Sequence, residues 1–365
     1  MKIAANLVLF SICLLVGTLG EARATDYTRG IWFEKAGLLK KNVRGTVDNL
    51  ERLHVNSVHI VVSSAITDMG LFERCKSSTK TLSDARRCAV EQYAFGFDHW
   101  LDRTGLATLP EFIDALKAKK MSVYLMIWPV PSKQYVTSLQ RLSDFVQKHP
   151  VDGVEIEDEE NWGTDYISGY KTNNEAALDM FAKLRASLPK GVAVGVTTAP
   201  RNFLPSRFSN DALVKLADFI SYQTYQNVCN HGGDRCVATK LSGDYAPGRM
   251  QDRALALLRQ IGLRPGVQVI LGLPAYDQAI IYAGDVNMIR ALAHSVCSQA
   301  KGRYVSSLMG FSYWSYNNVQ TKNGEAAYAR RFMANCQPRD VERICSIGGE
   351  DDLAKIQTVC PNVFR

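Results

Sequence analysis

Apolar and polar positions along the chain fall into two alternating rhythms. Short strand-like runs occur at 30–34, 57–63, 122–128, 151–162, 192–198, 219–225, 267–273 and 308–314. Most are short and apolar and read as strands; the fourth is acidic. Between them lie stretches with apolar residues three or four apart, the spacing of one helix face. These predict helices ending near 47–53, at 109–119 with Pro110 in the first turn, at 174–188 (Leu178, Phe181, Leu184, Leu188), at 251–261 and at 285–300. Proline is tolerated at a helix start because that N–H lacks an intrahelical partner. A regular strand–helix alternation over about 300 residues predicts an α/β fold, a (β/α)8 TIM barrel. Residues 65–108 form a long insertion carrying Cys75, Cys88 and the aromatic cluster Tyr93, Phe95, Phe97 and Trp100. No repeat, low-complexity run or linker divides the barrel.

The two ends read differently. Lys2, the apolar run 7–19 and the small-x-small triplet Ala22-Arg23-Ala24 make residues 1–24 a signal peptide, with the mature chain starting at Thr25. The apolar run is too short to span a bilayer, and no later stretch is long or apolar enough. The expected product is secreted, extracellular or periplasmic, with no membrane insertion. Residues 25–335 form the barrel, and 336–365 a short C-terminal appendage stapled by disulfides. The chain has 9 cysteines, one of them, Cys13, in the leader. The remaining even number, in an export context, predicts disulfides. Sequence proximity suggests Cys75–Cys88, Cys229–Cys236 and Cys345–Cys360 as local loops, leaving Cys297 for Cys336. The formal charge is +7, of which Lys2 and Arg23 against Glu21 account for +1 in the leader. The excess is spread out rather than blocked, which suits approach to an anionic surface such as a cell wall and does not suggest nucleic acid. A monomer is expected, with no cofactor.

The candidate chemistry sits in the fourth strand. Residues 151–162 read Val-Asp-Gly-Val-Glu-Ile-Glu-Asp-Glu-Glu-Asn-Trp. Strand side chains alternate, so Glu155, Glu157 and Glu159 share one face and Val154 and Ile156 the other. Carboxylates two positions apart lie roughly 7 Å from each other, and at an effective dielectric of about 20 each ionised pair repels by about 2 kcal/mol. The usual return for such an arrangement is a carboxyl whose pKa is raised, able to give up a proton near neutrality. A solvated acidic strand edge or a cation site is the alternative. In a parallel barrel, chemistry gathers at the strand C-terminal ends. Those ends here carry polar or aromatic residues: Ser63-Ser64, Trp128, Glu157 to Glu160, Thr197-Thr198, Gln223 to Gln226, Ala275-Tyr276 and Trp314 to Asn317. Cys229-x-His231-x-x-Asp234-x-Cys236 has the composition of a metal site, but in a secreted chain it reads as a disulfide-closed loop, and no metal is expected. His54, His59, His99 and His149 follow no pattern and read as structural or surface residues.

These residues resemble a known family. Asp152-Gly-Val-Glu-Ile-Glu-Asp-Glu159 is similar to the Asp-Gly-x-Asp-x-Asp-x-Glu signature of glycoside hydrolase family 18, which includes chitinases, chitin-binding relatives and endo-N-acetylglucosaminidases. Thr197-Thr-Ala-Pro200, Asp218-Phe-Ile-Ser-Tyr-Gln-Thr-Tyr-Gln-Asn227, Leu271-Gly-Leu-Pro-Ala-Tyr276 and Gly310-Phe-Ser-Tyr-Trp-Ser315 resemble the fifth to eighth strands of its plant-type (hevamine-like, class III) chitinases. The resemblance covers residues 30–318. It implies substrate-assisted retaining hydrolysis of a β-linked N-acetylglucosamine polysaccharide or oligosaccharide. Glu159 would be the general acid, Glu157 would orient the acetamido group, and Tyr225 would hydrogen-bond its carbonyl. Trp314 would floor the sugar subsite, with Glu155, Gln223, Trp128, Asn227 and Tyr276 also lining it. The chain departs from the signature where Glu155 and Glu157 stand in place of aspartates, each one methylene longer, and Glu160 stands where plant-type enzymes tend to have histidine. For Tyr225, Gln223 and Trp314 the plainer alternative is packing at the barrel end. For the protein as a whole the alternatives are a catalytically silent carbohydrate-binding barrel and a retaining hydrolase of a non-acetylated polysaccharide, in which an enzyme carboxylate is the nucleophile.

Overall fold

The structure is a computed structural model. It describes residues 28–33, 42–64, 77–78, 80, 88, 109–128, 133–158, 169–198, 215–223, 263, 267–274, 297, 308–314, 335–336, 338–349 and 352–363. Eight parallel strands close into a barrel in the order β1 to β8. They are β1 (Thr28–Phe33), β2 (Ser57–Ser64), β3 (Ser122–Trp128), β4 (Gly153–Asp158), β5 (Ala193–Thr198), β6 (Phe219–Gln223), β7 (Gln268–Pro274) and β8 (Leu308–Trp314). Pairing of β1 with β8 (Ile31 opposite Tyr313) completes the ring. The expected (β/α)8 barrel is therefore the fold.

Strand parity divides the apolar residues. One face of the strands, including Ile31, Val58, Ile60, Val123, Leu125, Val154, Ile156, Val194, Val196, Ile220 and Leu271, packs in a continuous core under the helices. Around the barrel, the described helices are α1 (Val43–Arg52), α2 (Leu109–Ala118), α3 (Lys133–Lys148) and α4 (Asn173–Ser187). Asn42 caps α1 by accepting from the Gly45 N–H. Thr172 caps α4 through Glu175 N–H, while the Glu175 carboxylate accepts from Lys171 N–H, so the two side chains satisfy donors on either side of the helix start. In α4 the buried face is Ala176, Ala177, Met180, Phe181 and Leu184; Leu178, read from the sequence as part of that face, is half exposed. The helix α3 was not among the expected helices, although its apolar residues have the same three-to-four spacing; it buries Leu139, Leu142 and Val146, with Ser143 bonded to Ser187 of α4.

The opposite strand face fills the barrel interior. Tyr124, Phe219 and Ile270 form one interior cluster and Trp32, Val61 and Met126 another. Glycines on inward positions make room for these rings. A Cβ on Gly195 would lie 2.1–2.4 Å from the Phe219 ring, and one on Gly153 would lie 2.7 Å from Tyr124. At the strand N-terminal end, aspartates tie neighbours together. Asp152 accepts from Val123 N–H at 2.7 Å and pairs with Lys117, and Asp218 accepts from Val194 N–H at 2.9 Å and pairs with Arg185. The first aspartate of the acidic stretch therefore works at the end of the barrel away from the mouth.

The tail carries α5 (Pro338–Ser346) and α6 (Leu353–Val359). Its disulfides correct the expected pairing: Cys297 is joined to Cys345, and Cys336 to Cys360. The helices decide this. Cys345, in the last turn of α5, comes within 4.9 Å of Cys297 (Cα to Cα), while Cys360, the residue capping α6, comes within 5.4 Å of Cys336. The Arg29 guanidinium on β1 donates to the Cys336 carbonyl at 2.5 Å, so the appendage is bonded to the barrel wall. Cys88 is disulfide-bonded; Cys75, Cys229 and Cys236 lie outside the described residues, as do 1–24 and the expected helix 251–261. Among the described residues no helix is long and apolar enough to cross a membrane.

Candidate active site

β4 brings two carboxylates into the barrel interior. Glu155 and Glu157 alternate with Val154 and Ile156, which face the helices, and both glutamates are buried, at 0% and 1% exposure. Neither could be held there without partners, because a lone buried carboxylate is strongly disfavoured. Glu155 is engaged at both oxygens. Oε2 lies 2.7 Å from His59 Nδ1 of β2, and Oε1 accepts from the Thr197 hydroxyl of β5 at 2.5 Å. The Ser221 hydroxyl of β6 also faces this carboxylate, outside strict hydrogen-bonding geometry.

Burial alone would raise the Glu155 carboxyl above its ordinary value. The charge and hydrogen bond of His59, with the hydroxyls of Ser221 and Thr197, outweigh burial and hold it below that value. The raised carboxyl expected of the acidic row is therefore not Glu155. Glu155 is met by a histidine and two hydroxyls rather than left as a bare carboxylate.

His59 is itself fixed. Its Nε2 lies 3.2 Å from Ser57 Oγ, its ring stacks on Tyr124 at 4.8 Å and 15° between planes, and Trp32 lies 5.4 Å away, tilted. With Glu155 accepting at Nδ1, that nitrogen is the donor. Tyr124 is pushed up to about 12, first by burial and then by the charges of Asp152 and Glu155, so it stays a neutral phenol at any physiological pH.

Glu157, one inward step along β4, accepts from the Gln223 amide of β6 at 3.0 Å. Of the candidates read from the sequence, the structure thus brings together Glu155, Glu157 and Gln223. Trp128 and Trp314 end β3 and β8, and their backbone pairs with Ser64 and Pro274 respectively. Glu159, Tyr225, Asn227 and Tyr276 lie outside the described residues.

Sequence reading missed three partners of the acids. His59 was expected to be structural or on the surface, yet it is buried against Glu155 and bonded to its Oε2. Thr197 and Thr198 were read as a strand-end motif, but each serves a different acid on a different barrel face. Thr197 bonds Glu155 inside, and Thr198 donates to Asp158 at 3.1 Å among the residues facing the helices. Strand parity is the signal that finds them, since His59 and Thr197 fall on inward positions of β2 and β5. Among the described residues no group of three or more His, Cys, Asp or Glu is arranged to hold a metal.

No known protein family matches the chain, and no curated protein does. Solved structures similar to it include a GH18 chitinase from Pseudoalteromonas aurantia, at 15% identity and TM-score 0.46, covering 81% of this chain and 96% of that one. A GH113 β-1,4-mannanase is similar at 12% identity and TM-score 0.48, covering 85% and 97%. An endocellulase from Pyrococcus horikoshii is similar at 13% identity and TM-score 0.49, covering 82% and 86%. These are likenesses of fold.

Proposed function

We propose that the protein is a secreted retaining glycoside hydrolase that cleaves a polysaccharide containing β-linked N-acetylglucosamine, with the sugar's own acetamido group as nucleophile. The observation that carries this reading is the pair of inward carboxylates on β4, two residues apart and held by side chains from three other strands. A row of acids supported this way is arranged for proton and charge work rather than for packing.

In the proposed reaction Glu159, the next acid in the alternation, gives its proton to the glycosidic oxygen. As that bond breaks, the acetamido carbonyl oxygen bonds to the anomeric carbon and forms an oxazolinium. Glu157, steadied by Gln223, stabilises the positive charge that develops on the acetamido nitrogen. Water then attacks the anomeric carbon, gives its proton to Glu159 and restores both the acid and the sugar. Tyr225 bonds the acetamido carbonyl, and Trp314, Trp128, Asn227 and Tyr276 contact the sugar chain. Two disulfides fit the oxidising compartment that secretion implies.

The test is incubation of the purified protein with acetylated and deacetylated oligosaccharides, recording product masses and anomeric form. Cleavage confined to acetylated chains, with retained configuration, is expected. Cleavage of non-acetylated chains would move the reading to an enzyme nucleophile, and binding without cleavage would move it to a carbohydrate-binding barrel.

A further inference from the structure

We propose that His59 is a positioning residue of this site, one that holds the Glu155 carboxylate in a neutralised buried pair beneath Glu157, so that Glu155 does not repel charge on the acid above it. The activity part of this inference rests on the hydrolase reading; the pairing of His59 with Glu155 does not.

The geometry leaves the ring little freedom. His59 and Glu155 are both fully buried, 2.7 Å apart, and come from strands that are not adjacent in the barrel. Ser57 holds the second ring nitrogen, and Tyr124 and Trp32 fix the plane of the ring. Thr197 fixes the other carboxylate oxygen, so the carboxylate cannot rotate away without breaking two contacts. Against this pair β3 presents Tyr124, while β1, β5 and β6 present Trp32, Thr197 and Ser221, none of which ionises in the working range; Glu157 follows two residues further along β4. Residues 155 and 157 are one strand repeat apart, roughly 7 Å. A bare carboxylate at that distance would raise the proton affinity of Glu157, and a paired one largely would not. The glutamate at position 155 gives the reach needed to meet a histidine two strands away, which offers a reason for the longer side chain there.

The test uses His59→Asn, in which the amide nitrogen replaces the Nδ1 donor and cannot take up a proton. With ¹⁵N-labelled histidine, the His59 ring signals should show Nδ1 bonded to a carboxylate in the wild type, and Glu155→Gln should shift them. In activity, the acidic limb of the pH–rate profile should move up by about one pH unit in His59→Asn. A purely structural role would lower stability at every pH and leave the limb in place. His59 signals left unmoved by Glu155→Gln overturn the proposal, as does an unmoved limb in a folded His59→Asn. Were the wild type to cleave nothing, the hydrolase reading would fail, while the nitrogen signals would still decide the pairing of His59 with Glu155.

Discussion

Replacing His59 by phenylalanine tests whether the acid row is held by a buried ion pair. The substitution keeps an aromatic ring against Tyr124 and Trp32 but removes the donor to Glu155 Oε2, leaving Thr197 as the carboxylate's hydrogen-bond partner at 0% exposure. Breaking a buried pair by removing one member costs about 3–5 kcal/mol, because the remaining charge is stranded. Against a total stability of roughly 5–15 kcal/mol, that is a large fraction. Removing both charges, with His59→Phe and Glu155→Leu together, strands nothing and should recover most of the loss, giving a coupling of at least ~2 kcal/mol between the two sites. Urea unfolding followed by tryptophan fluorescence reads this directly, since Trp32 is buried beside the pair. A His59→Phe cost below about 1 kcal/mol, or a double variant no better than the sum of its parts, would refute the reasoning.

Other outcomes follow from the same interior. Gly195→Ala drives a methyl into the Phe219 ring and should destabilise the barrel by about 1–3 kcal/mol in the same unfolding assay, with Phe219→Leu relieving much of the loss. The lowered Glu155 carboxyl has a definite sign in pH. Its stabilisation is complete above the ordinary carboxyl value of 4.5 and is lost as pH falls through the lower folded value, so urea midpoints at pH 6 and pH 3 should differ in the wild type and differ less in Glu155→Gln. Opening the Cys297–Cys345 bridge, which closes 48 residues, with a double alanine variant should cost about 4 kcal/mol by loop entropy, and mass mapping should then find the Cys336–Cys360 bridge intact.

The barrel was legible in the sequence because parallel strands are buried on both faces. Runs such as Ser-Val-Tyr-Leu-Met-Ile-Trp therefore stand out as continuous apolar segments, and β3 and β8 fall on the predicted bounds. The helix α3 was passed over although Leu139, Leu142, Phe145 and Val146 repeat three or four apart, the same spacing that marks the other helices. Acids in an otherwise apolar strand were conspicuous, so Glu155 and Glu157 could be singled out. A single histidine in Ser-Val-His-Ile-Val-Val-Ser was not, because its partner lies 96 residues away and only barrel closure brings them together. The disulfides misled for a related reason. Loop-closure entropy favours short loops only weakly, and the placement of Cys345 and Cys360 by α5 and α6 overrides it.

The central claim is that the row of acids on β4 performs glycoside hydrolysis, with Glu159 as the proton donor. Its most direct test is the initial rate of cleavage of an N-acetylglucosamine oligosaccharide by wild type and by Glu159→Gln, which keeps the side chain's shape and removes its proton. The account predicts a rate lowered by about 10² to 10⁴ in the variant with sugar binding retained; an undiminished rate in Glu159→Gln would contradict it.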